Sequence, residues 1–533
     1  MSEVRSTASA ISKLTEDVLW HTFYFVAQVL DLSCHDSSVL TDLRHASQVC
    51  ASWRRLLLAS SSLWGMAIDL GRLGQRTCHW REEVLRRTGN SLLDIHGFVT
   101  ISAMDVVEQF LASLLNDHWP RMRRLYFNSV CTLEPQGYKI MGPAMKSVFQ
   151  KPAPYLESFE TYFDEDHESS VFSATKFRLF ADQAPSLQEF ICPRLLRPSP
   201  QTLWLSNLRV LYFSCQWTAR AILSTLANMP LLESLRVTES DDDELEVDVH
   251  ASGGTSLPRI TLPRLKHLSL EPGAALEKYL TVLEHLVPAP GLCFSIDAGP
   301  SSSLVPQNFM AIQQIFRSYL HISFKGKHPN YLKIIQKRYS IVIDLSRDSY
   351  DSEFDFHLSF LELEDIQDPY VAMFFETLRS ISFEYTTKLS LDIHAGPTKT
   401  VLNFSILPSM ASIKELHVTA ESLQLLLSFP TATGYILFPL LKTLQLVGYC
   451  DEAFLLGFLT SRHALKLPIR FLVFFPSQSQ PQNYVWGFHD FRPLEQFEGL
   501  KITWSPPRKD DVHEYICGSG NPDILYYISY RTL

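Results

Sequence analysis

The side chains best suited to chemistry are grouped in two acidic clusters. Residues 162–170, YFDEDHESS, contain four carboxylates and His167, and the segment from Glu239 to Asp248 contains seven carboxylates. Carboxylate oxygens and imidazole nitrogens are ligands of divalent metals. Adjacent residues of one loop rarely converge on one ion, however, and the longer cluster lacks the glycine and final glutamate of an EF-hand. We therefore interpret both clusters as exposed loops, the longer one as an acidic loop at 238–258, and keep a metal-dependent enzyme as an alternative.

Signature motifs of enzymes are absent from the sequence. It contains no phosphate-binding G-x-x-x-x-G-K-[ST], no nucleophile elbow G-x-S-x-G and no zinc-binding H-E-x-x-H. The G-x-G of CGSGNP, residues 517–522, does not stand between a strand and a helix, so we interpret it as a turn. The eighteen histidines are scattered. The sequence therefore predicts no catalytic residue, no cofactor and no bound metal.

The composition indicates a folded protein that binds neither nucleic acid nor membranes. A chain of 533 residues exceeds one ordinary core, and 46% hydrophobic with 20% charged residues is typical of globular proteins. The net charge of −10 argues against nucleic acid and anionic lipid, because both attract clustered Lys and Arg. No apolar stretch is long enough to predict a transmembrane helix.

The cysteines and the N-terminal segment predict an intracellular protein. The nine cysteines are scattered and form no C-x-x-C pair, which argues against a zinc ribbon, a thioredoxin-like site and a dense disulfide framework. The first residues lack the continuous apolar run of a signal peptide. We expect a soluble, reduced protein that is cytoplasmic or nuclear, and the sequence does not separate these two locations.

Two amphipathic patterns near the N-terminus predict helices that need a surface to pack on. Thr15 is a suitable N-cap for the first helix, whose apolar face is formed by Leu19, Phe23, Val26 and Leu30. After a polar loop, a second helical face is formed by Leu40, Leu43, Ser47, Cys50, Trp53 and Leu57. So few helices bury too little apolar surface to be stable alone. They must dock either onto the rest of this chain or onto a separate subunit.

The same region resembles an F-box. Its first half is similar to L-P-x-E-[IVL]-L-x-x-[IV]-F, with Thr15 at the usual proline and Asp17 at the usual glutamate. Its second half is similar to S-x-V-C-x-x-W-R followed by S-L-W, with matches at Ser47, Val49, Cys50, Trp53, Arg54, Ser62, Leu63 and Trp64. The S-L-W ending and the long loop between the halves are similar to F-box proteins of mushroom-forming fungi.

An F-box is a three-helix module that binds the adaptor Skp1, which in turn binds a cullin. The resemblance implies that an Skp1 surface is faced or supported by Leu14, Val18, Leu19, Phe23, Val49, Cys50, Trp53, Leu63 and Trp64. Aliphatic and aromatic anchors in a desolvated centre carry most of the affinity of such interfaces. For Trp53 the alternative is a core role that holds the helices together, since tryptophan is often structural.

A short motif recurs along the rest of the chain. It consists of an apolar residue, two polar residues, an apolar residue, one further residue and an apolar residue, and it is found at 119–127, 154–163, 185–192, 206–214, 230–238, 263–271, 411–419, 439–447 and 494–504. The middle apolar residues of the first six copies are Leu125, Phe159, Phe190, Leu211, Leu235 and Leu268. Segments between copies, such as 219–230 and 420–430, have helical spacing. The pattern is similar to divergent leucine-rich repeats, which have one strand per repeat.

The motif fades between about residues 291 and 400. Residues 294–299, 339–346 and 388–396 still have the pattern of strands. We expect the repeats to continue there in degenerate form, and an α/β sheet of another kind is the alternative.

The sequence thus predicts an α/β repeat fold, with an N-terminal three-helix F-box followed by an irregular leucine-rich-repeat solenoid. The expected parts are a flexible tail at 1–12, an F-box-like domain at 13–66, connecting helices and a first strand at 67–118, and the repeat domain at 119–533. By resemblance, the chain is the substrate-recognition subunit of a Skp1–cullin–F-box ubiquitin ligase and holds an unknown target protein on its repeats. The alternative is a scaffold whose F-box-like helices only cap the solenoid.

Overall fold

The computed structural model of the chain describes residues 14–28, 39–75, 77–101, 106–131, 145–163, 178–193, 201–214, 217–239, 257–273, 275–299, 309–347, 354–361, 368–394, 404–428, 436–448, 452–475, 491–504 and 512–528. The predicted tail at 1–12, Leu30, the acidic residues 164–168 and most of the acidic loop at 238–258 lie outside the described residues. The chain divides into two compact units, Met1–Pro258 and Arg259–Leu533. The boundary between them lies within the repeat domain predicted for residues 119–533.

The first unit begins with helices and contains further helices between its strands. They are α1 (Glu16–Gln28), α2 (Val39–Val49), α3 (Ala51–Ala59), α4 (Ser61–Gly65), α5 (Leu70–Leu73), α6 (His79–Thr88), α7 (Val106–His118) and α8 (Ala219–Leu226). The second predicted helical face does not lie on one helix, because Cys50 is extended (φ −154°, ψ 168°) and separates α2 from α3. The described residues up to 66 therefore form four helices rather than the predicted three.

The sheet of the first unit is parallel, and its described strands follow one another in chain order. They are β1 (Ile68–Asp69), β2 (Leu93–Ile101), β3 (Met122–Cys131), β4 (Ser158–Phe163), β5 (Glu189–Cys192), β6 (Val210–Ser214) and β7 (Ser234–Thr238). The strands predicted from the recurring motif are confirmed here. Short 3-10 helices lie in two of the connections, at Leu179–Asp182 between β4 and β5 and at Leu203–Asn207 between β5 and β6.

The middle residues of the motif form one column in the core of the first unit. Leu125 pairs with Phe159, Phe159 with Phe190, Phe190 with Leu211 and Leu211 with Leu235. All five side chains are buried, and the rings of Phe159 and Phe190 stack with their centroids 5.6 Å apart. Because side chains alternate along a strand, the residues on either side of this column point to the outward face of the sheet.

The second unit contains strands of both directions. They are β8 (Ile260–Leu262), β9 (His267–Glu271), β10 (Leu286–Pro288), β11 (Cys293–Ala298), β12 (Tyr331–Lys337), β13 (Ser340–Ser346), β14 (Phe356–Phe360), β15 (Lys388–Ile393), β16 (Glu415–Thr419), β17 (Thr443–Val447), β18 (Phe471–Phe475), β19 (Lys501–Trp504) and β20 (His513–Ile516). Strands β15 to β19 are parallel and follow chain order, as do β9 and β11. Strands β8 and β10 form a separate parallel pair, and β20 is antiparallel to β19.

The helices of the second unit connect these strands. They are α9 (Leu276–His285), α10 (Phe309–Ser323), α11 (Asp368–Leu378), α12 (Ala420–Leu427) and α13 (Glu452–Ala464). Among the described residues of the whole chain, no helix combines the length and the apolar character needed to cross a membrane.

An antiparallel meander interrupts the parallel order of the second unit. Strand β13 runs antiparallel to β12 and β14, while β14 pairs in parallel with β11 and β12 pairs in parallel with β15. The three strands predicted between 291 and 400 are present as β11, β13 and β15. The repeats expected to continue there in degenerate form are interrupted, because only Arg338 and Tyr339 join β12 to β13, too few residues for a parallel crossover.

Candidate protein-docking surface

Helix α1 has a buried and an exposed apolar side. Leu19, Phe23 and Ala27 are buried on the inner side. Four apolar side chains are exposed instead, namely Leu14 (43%), Val18 (48%), Phe25 (63%) and Val26 (38%). The prediction that Val26 lies on the inner face is wrong. Val26 follows Phe23 by three residues, so its side chain is rotated about 60° around the helix axis away from that of Phe23.

The start of α1 agrees with the predicted cap. The hydroxyl oxygen of Thr15 accepts a long hydrogen bond of 3.5 Å from the backbone N–H of Val18. Glu16 and Asp17 lie in the first turn, where the helix dipole favours negative charge. Leu14 precedes this turn, so the first exposed apolar side chain lies just outside the helix.

The junction between α2 and α3 exposes further apolar surface. The sulfur of Cys50 accepts a hydrogen bond of 3.5 Å from the backbone N–H of Trp53 and so caps α3. Val49, directly before this cap, is 64% exposed, and Leu58 on α3 is 45% exposed. We call Leu14, Val18, Phe25, Val26, Val49 and Leu58 the exposed apolar set.

Trp53 connects α3 to α1. Its side chain is half-buried, and its ring meets the ring of Phe23 edge-on, with 4.9 Å between centroids. This contact agrees with the interpretation of Trp53 as a residue that holds the helices together.

Leu63 and Trp64 lie in the core of the first unit. Both are fully buried, and the indole N–H of Trp64 donates a 2.8 Å hydrogen bond to the carbonyl oxygen of Leu57. Trp80 of α6 packs edge-on against Trp64, with 6.4 Å between ring centroids. The guanidinium of Arg87 lies over the ring of Trp64 at 4.5 Å. Neither residue can contact a partner directly while this packing persists, so any role of theirs in binding is support.

The carboxylate of Glu83 orients the arginine that covers Trp64. Its Oε1 accepts a 2.9 Å hydrogen bond from Nε of Arg87, and Arg86 binds the same carboxylate. Hydrogen bonds from Arg86 and Arg87 lower the pKa of Glu83 to about 2. Glu83 is therefore ionised at neutral pH and holds Arg87 in place over the indole.

Gly65 allows α4 to approach the segment before β2. A Cβ atom at this position would lie 2.3 Å from the backbone carbonyl oxygen of Leu92. Such a distance is far inside van der Waals contact, so the packing requires glycine. The N-terminal helices are thus joined to the sheet of the first unit through α4.

The nine residues predicted to bind a partner fall into three groups. Leu14, Val18, Val49 and Cys50 are exposed, Trp53 is half-buried, and the buried ones are Leu19, Phe23, Leu63 and Trp64. The sequence reasoning missed Phe25 and Leu58. A signal for Phe25 existed, because it follows Val18 by seven residues and therefore lies on the same side of α1.

One group of possible metal ligands occurs among the described residues. Side-chain donor atoms of Cys78, His79 and Glu82 lie within 4.8 Å of one another at the start of α6. The thiol of Cys78 is hydrogen-bonded to Glu82, and this bond raises the pKa of Cys78. The protonated thiol is favoured, which opposes metal binding, since the thiolate is the ligand. We assign no metal to these residues.

The chain was compared with known proteins. No protein-family model matches it, and no curated protein matches it significantly.

Proposed function

We propose that the chain is the substrate-recognition subunit of a Skp1–cullin–F-box type ubiquitin ligase. The observation that carries this proposal is the exposed apolar set on α1 to α3. The described residues between 14 and 58 include six exposed large apolar side chains, on a helical module whose inner face is already packed. Exposed apolar side chains that form a contiguous surface patch mark interaction sites.

The buried residues support the proposal by fixing the position of the exposed ones. Phe23 and Trp53 hold α1 against α3, and Trp64 holds α4 against α6. A docking surface on such a rigid base loses little conformational entropy when it binds. The module would then carry a bound adaptor at a fixed place relative to the first unit's sheet.

The proposed mechanism is an increase in effective concentration rather than bond chemistry. The N-terminal helices would bind a Skp1-like adaptor and, through it, a cullin, while the sheets would hold a target protein. Tethering the target near a ubiquitin-conjugating enzyme accelerates transfer without a catalytic group in this chain. The proposal places the protein inside the cell, in the cytoplasm or the nucleus.

Co-purification with Skp1 tests the proposal. The double variant Val18→Asp, Val49→Asp places charges on two exposed positions, so it should still fold. Its affinity for Skp1 should fall at least about tenfold, because a charge that loses its water at an interface without gaining a partner is costly. Leu203→Asp is the matched control, since Leu203 is 78% exposed and lies outside the helical module. Leu19 and Phe23 are unsuitable for this test, because charges there would disrupt the core.

The outcomes separate the proposal from its alternative. Loss of Skp1 in the double variant and retention in the control would support the adaptor interface. If wild-type protein does not bind Skp1, or if the double variant binds as well as wild type, the proposal is wrong. The burial of Trp64 and the close approach at Gly65 favour the alternative scaffold function, in which the helices only cap the first unit's sheet.

A further inference from the structure

A row of polar and aromatic side chains crosses the outward face of the first unit's sheet. In register order it contains His96, Tyr126, Glu160, Ile191, Tyr212 and Arg236. The next row, two residues further along the strands, contains Phe98, Asn128 and Tyr162. Tyrosine and arginine are enriched in the hot spots of protein interfaces. The composition of this face is therefore typical of a binding surface.

Glu160 lies between two tyrosines of this face. Tyr126 is directly opposite it on β3, and Tyr162 is two residues further along β4. The hydroxyl of Tyr162 donates a 3.0 Å hydrogen bond to Oε1 of Glu160. The rings of Tyr126 and Tyr162 are 6.4 Å apart in an edge-on arrangement. We call Tyr126, Glu160 and Tyr162 the aromatic carboxylate cluster.

The carboxylate of this cluster is incompletely solvated. Burial raises the pKa of Glu160, and the negative charge of Glu189 on β5 adds to this effect. Burial, followed by the nearby carboxylate of Glu160, raises the pKa of Tyr126 and of Tyr162 as well. An anion that has lost part of its hydration gains more from an approaching cation than a fully solvated one does.

Charged side chains of both signs lie near the cluster on the described part of this face. Arg124 lies in the row next to Glu160, and that row continues through Ser158 to Glu189. Burial lowers the pKa of His96, so its neutral form is favoured. These two rows thus hold Glu160 and Glu189 together with Arg124 and Arg236, besides the Asp94 carboxylate that Arg123 binds.

This face already accommodates a guanidinium. The Cζ atom of Arg236 lies 4.6 Å from the centroid of the Tyr212 ring, two strands from Glu160. A tyrosine ring on this sheet is thus covered by a cation in the structure. Tyr126 and Tyr162 offer the same ring chemistry together with a carboxylate.

We propose that the aromatic carboxylate cluster binds a lysine or arginine side chain of a partner protein. The tyrosine rings would attract the cation through their π faces, and Glu160 would accept a charge-assisted hydrogen bond from it. The biological use of the cluster rests on the proposed function, because the bound segment would belong to the target protein. The partner is therefore expected to present a basic segment.

Fluorescence anisotropy of labelled peptides with the full-length chain tests this inference. Fluorescein-labelled hexa-arginine and hexa-lysine should bind, whereas hexa-glutamine should not. Glu160→Gln should weaken hexa-arginine binding about tenfold, and Tyr126→Leu should weaken it several-fold. Tyr126→Phe keeps the ring face and should bind nearly as wild type does.

A variant of the acidic loop distinguishes binding at the aromatic carboxylate cluster from nonspecific attraction of basic peptides to the negative charge of the chain. The substitutions Asp241→Asn, Asp242→Asn and Asp243→Asn remove three negative charges from the acidic loop, whereas Glu160→Gln removes one. The inference is overturned if the triple variant weakens binding more than Glu160→Gln does, or if Tyr126→Leu has no effect. The assay contains no Skp1, so its failure leaves the proposed adaptor interface untouched, and failure of the Skp1 test leaves this result valid.

Discussion

The two sheets of this protein are built from similar strands in different orders. In the first unit, β1 to β7 follow one another in parallel and in chain order. In the second unit, β12, β13 and β14 form an antiparallel meander between β11 and β15. The inward columns of both sheets are apolar. The difference in strand order therefore has its main consequence on the outward faces.

The outward face of the meander carries charges from strands that are distant in sequence. His357 on β14 donates through Nδ1 to Asp344 on β13, and its Nε2 lies 3.1 Å from Oδ1 of Asp297 on β11. Lys333 on β12 places its Nζ 3.0 Å from Oδ2 of Asp344. On the outward face of the first unit's sheet, the rows described above hold tyrosine rings on both sides of Glu160. Strands that are distant in sequence thus form one charge network in the meander.

The largest effect should follow from a cavity in the core of the first unit. Phe159→Ala removes a fully buried ring that stacks on Phe190, so we expect a loss of about 3–5 kcal/mol in the free energy of unfolding. Hydrogen exchange should show lost protection in β3 to β6 and unchanged protection in β15 to β18. Phe294→Ala is the matched change in the second unit. Equal loss of protection in both units with either variant would show that they unfold together.

A somewhat smaller loss is expected from the charge network of the second unit. The side chain of Asp344 is 1% exposed, and Asp344→Ala would leave His357 and Lys333 without their shared carboxylate. Removing one partner of a buried ion pair lowers the free energy of unfolding by about 3 kcal/mol. Urea denaturation followed by hydrogen exchange should place the loss in the meander. If Asp344→Ala matches the stability of the wild type, the network is not structural.

The second unit should also lose stability at alkaline pH. Burial opposes protonation of His357, but hydrogen bonds to Asp297 and Asp344 outweigh it and raise its pKa to about 9. Its stabilising contribution is fully present below the unfolded pKa of about 6.5 and is lost as the pH rises through the folded pKa of about 9, and it amounts to about 3 kcal/mol. Thermal unfolding between pH 6 and 10 measures this loss. His357→Gln should flatten the profile, and a profile as steep as that of the wild type would assign the pH dependence to other groups.

The smallest effect on stability is expected at the exposed apolar set. Val18→Asp should change the free energy of unfolding by less than about 0.5 kcal/mol, because the side chain is half in water already. Leu19→Asp, one residue away on the buried side of α1, should destabilise the helical module by several kcal/mol. Circular dichroism during urea titration compares the two. Similar losses in both variants would mean that Val18 is packed in solution.

The recurring motif allowed much of the core to be predicted. Leu125, Phe159, Phe190, Leu211 and Leu235 were identified by spacing alone, and they pair in register. Alternation along a strand separates inward from outward residues whichever way the neighbour runs. For the same reason, alternation could not show that YSIVIDLS would form the antiparallel strand β13.

The candidate docking surface was predicted only in part. Helical periodicity placed Leu19 and Phe23 on one face, and both are buried there. The break at Cys50 was invisible to periodicity, because Ser47, Cys50 and Trp53 keep a helical spacing across it. The cap at Cys50 depends on an extended backbone angle, and that angle places Val49 in solvent.

The sequence by itself determined which residues are apolar, which segments have the period of a helix or of a strand, and which strand side chains share a face, because these follow from local periodicity. Only the tertiary structure decided which apolar faces find a partner within the chain. Leu63 and Trp64 are packed against α6, whereas Val18 and Val49 are left in solvent. Burial depends on contacts between segments far apart in sequence, such as Gly65 against Leu92 or Asp297 against His357. No local pattern encodes those contacts.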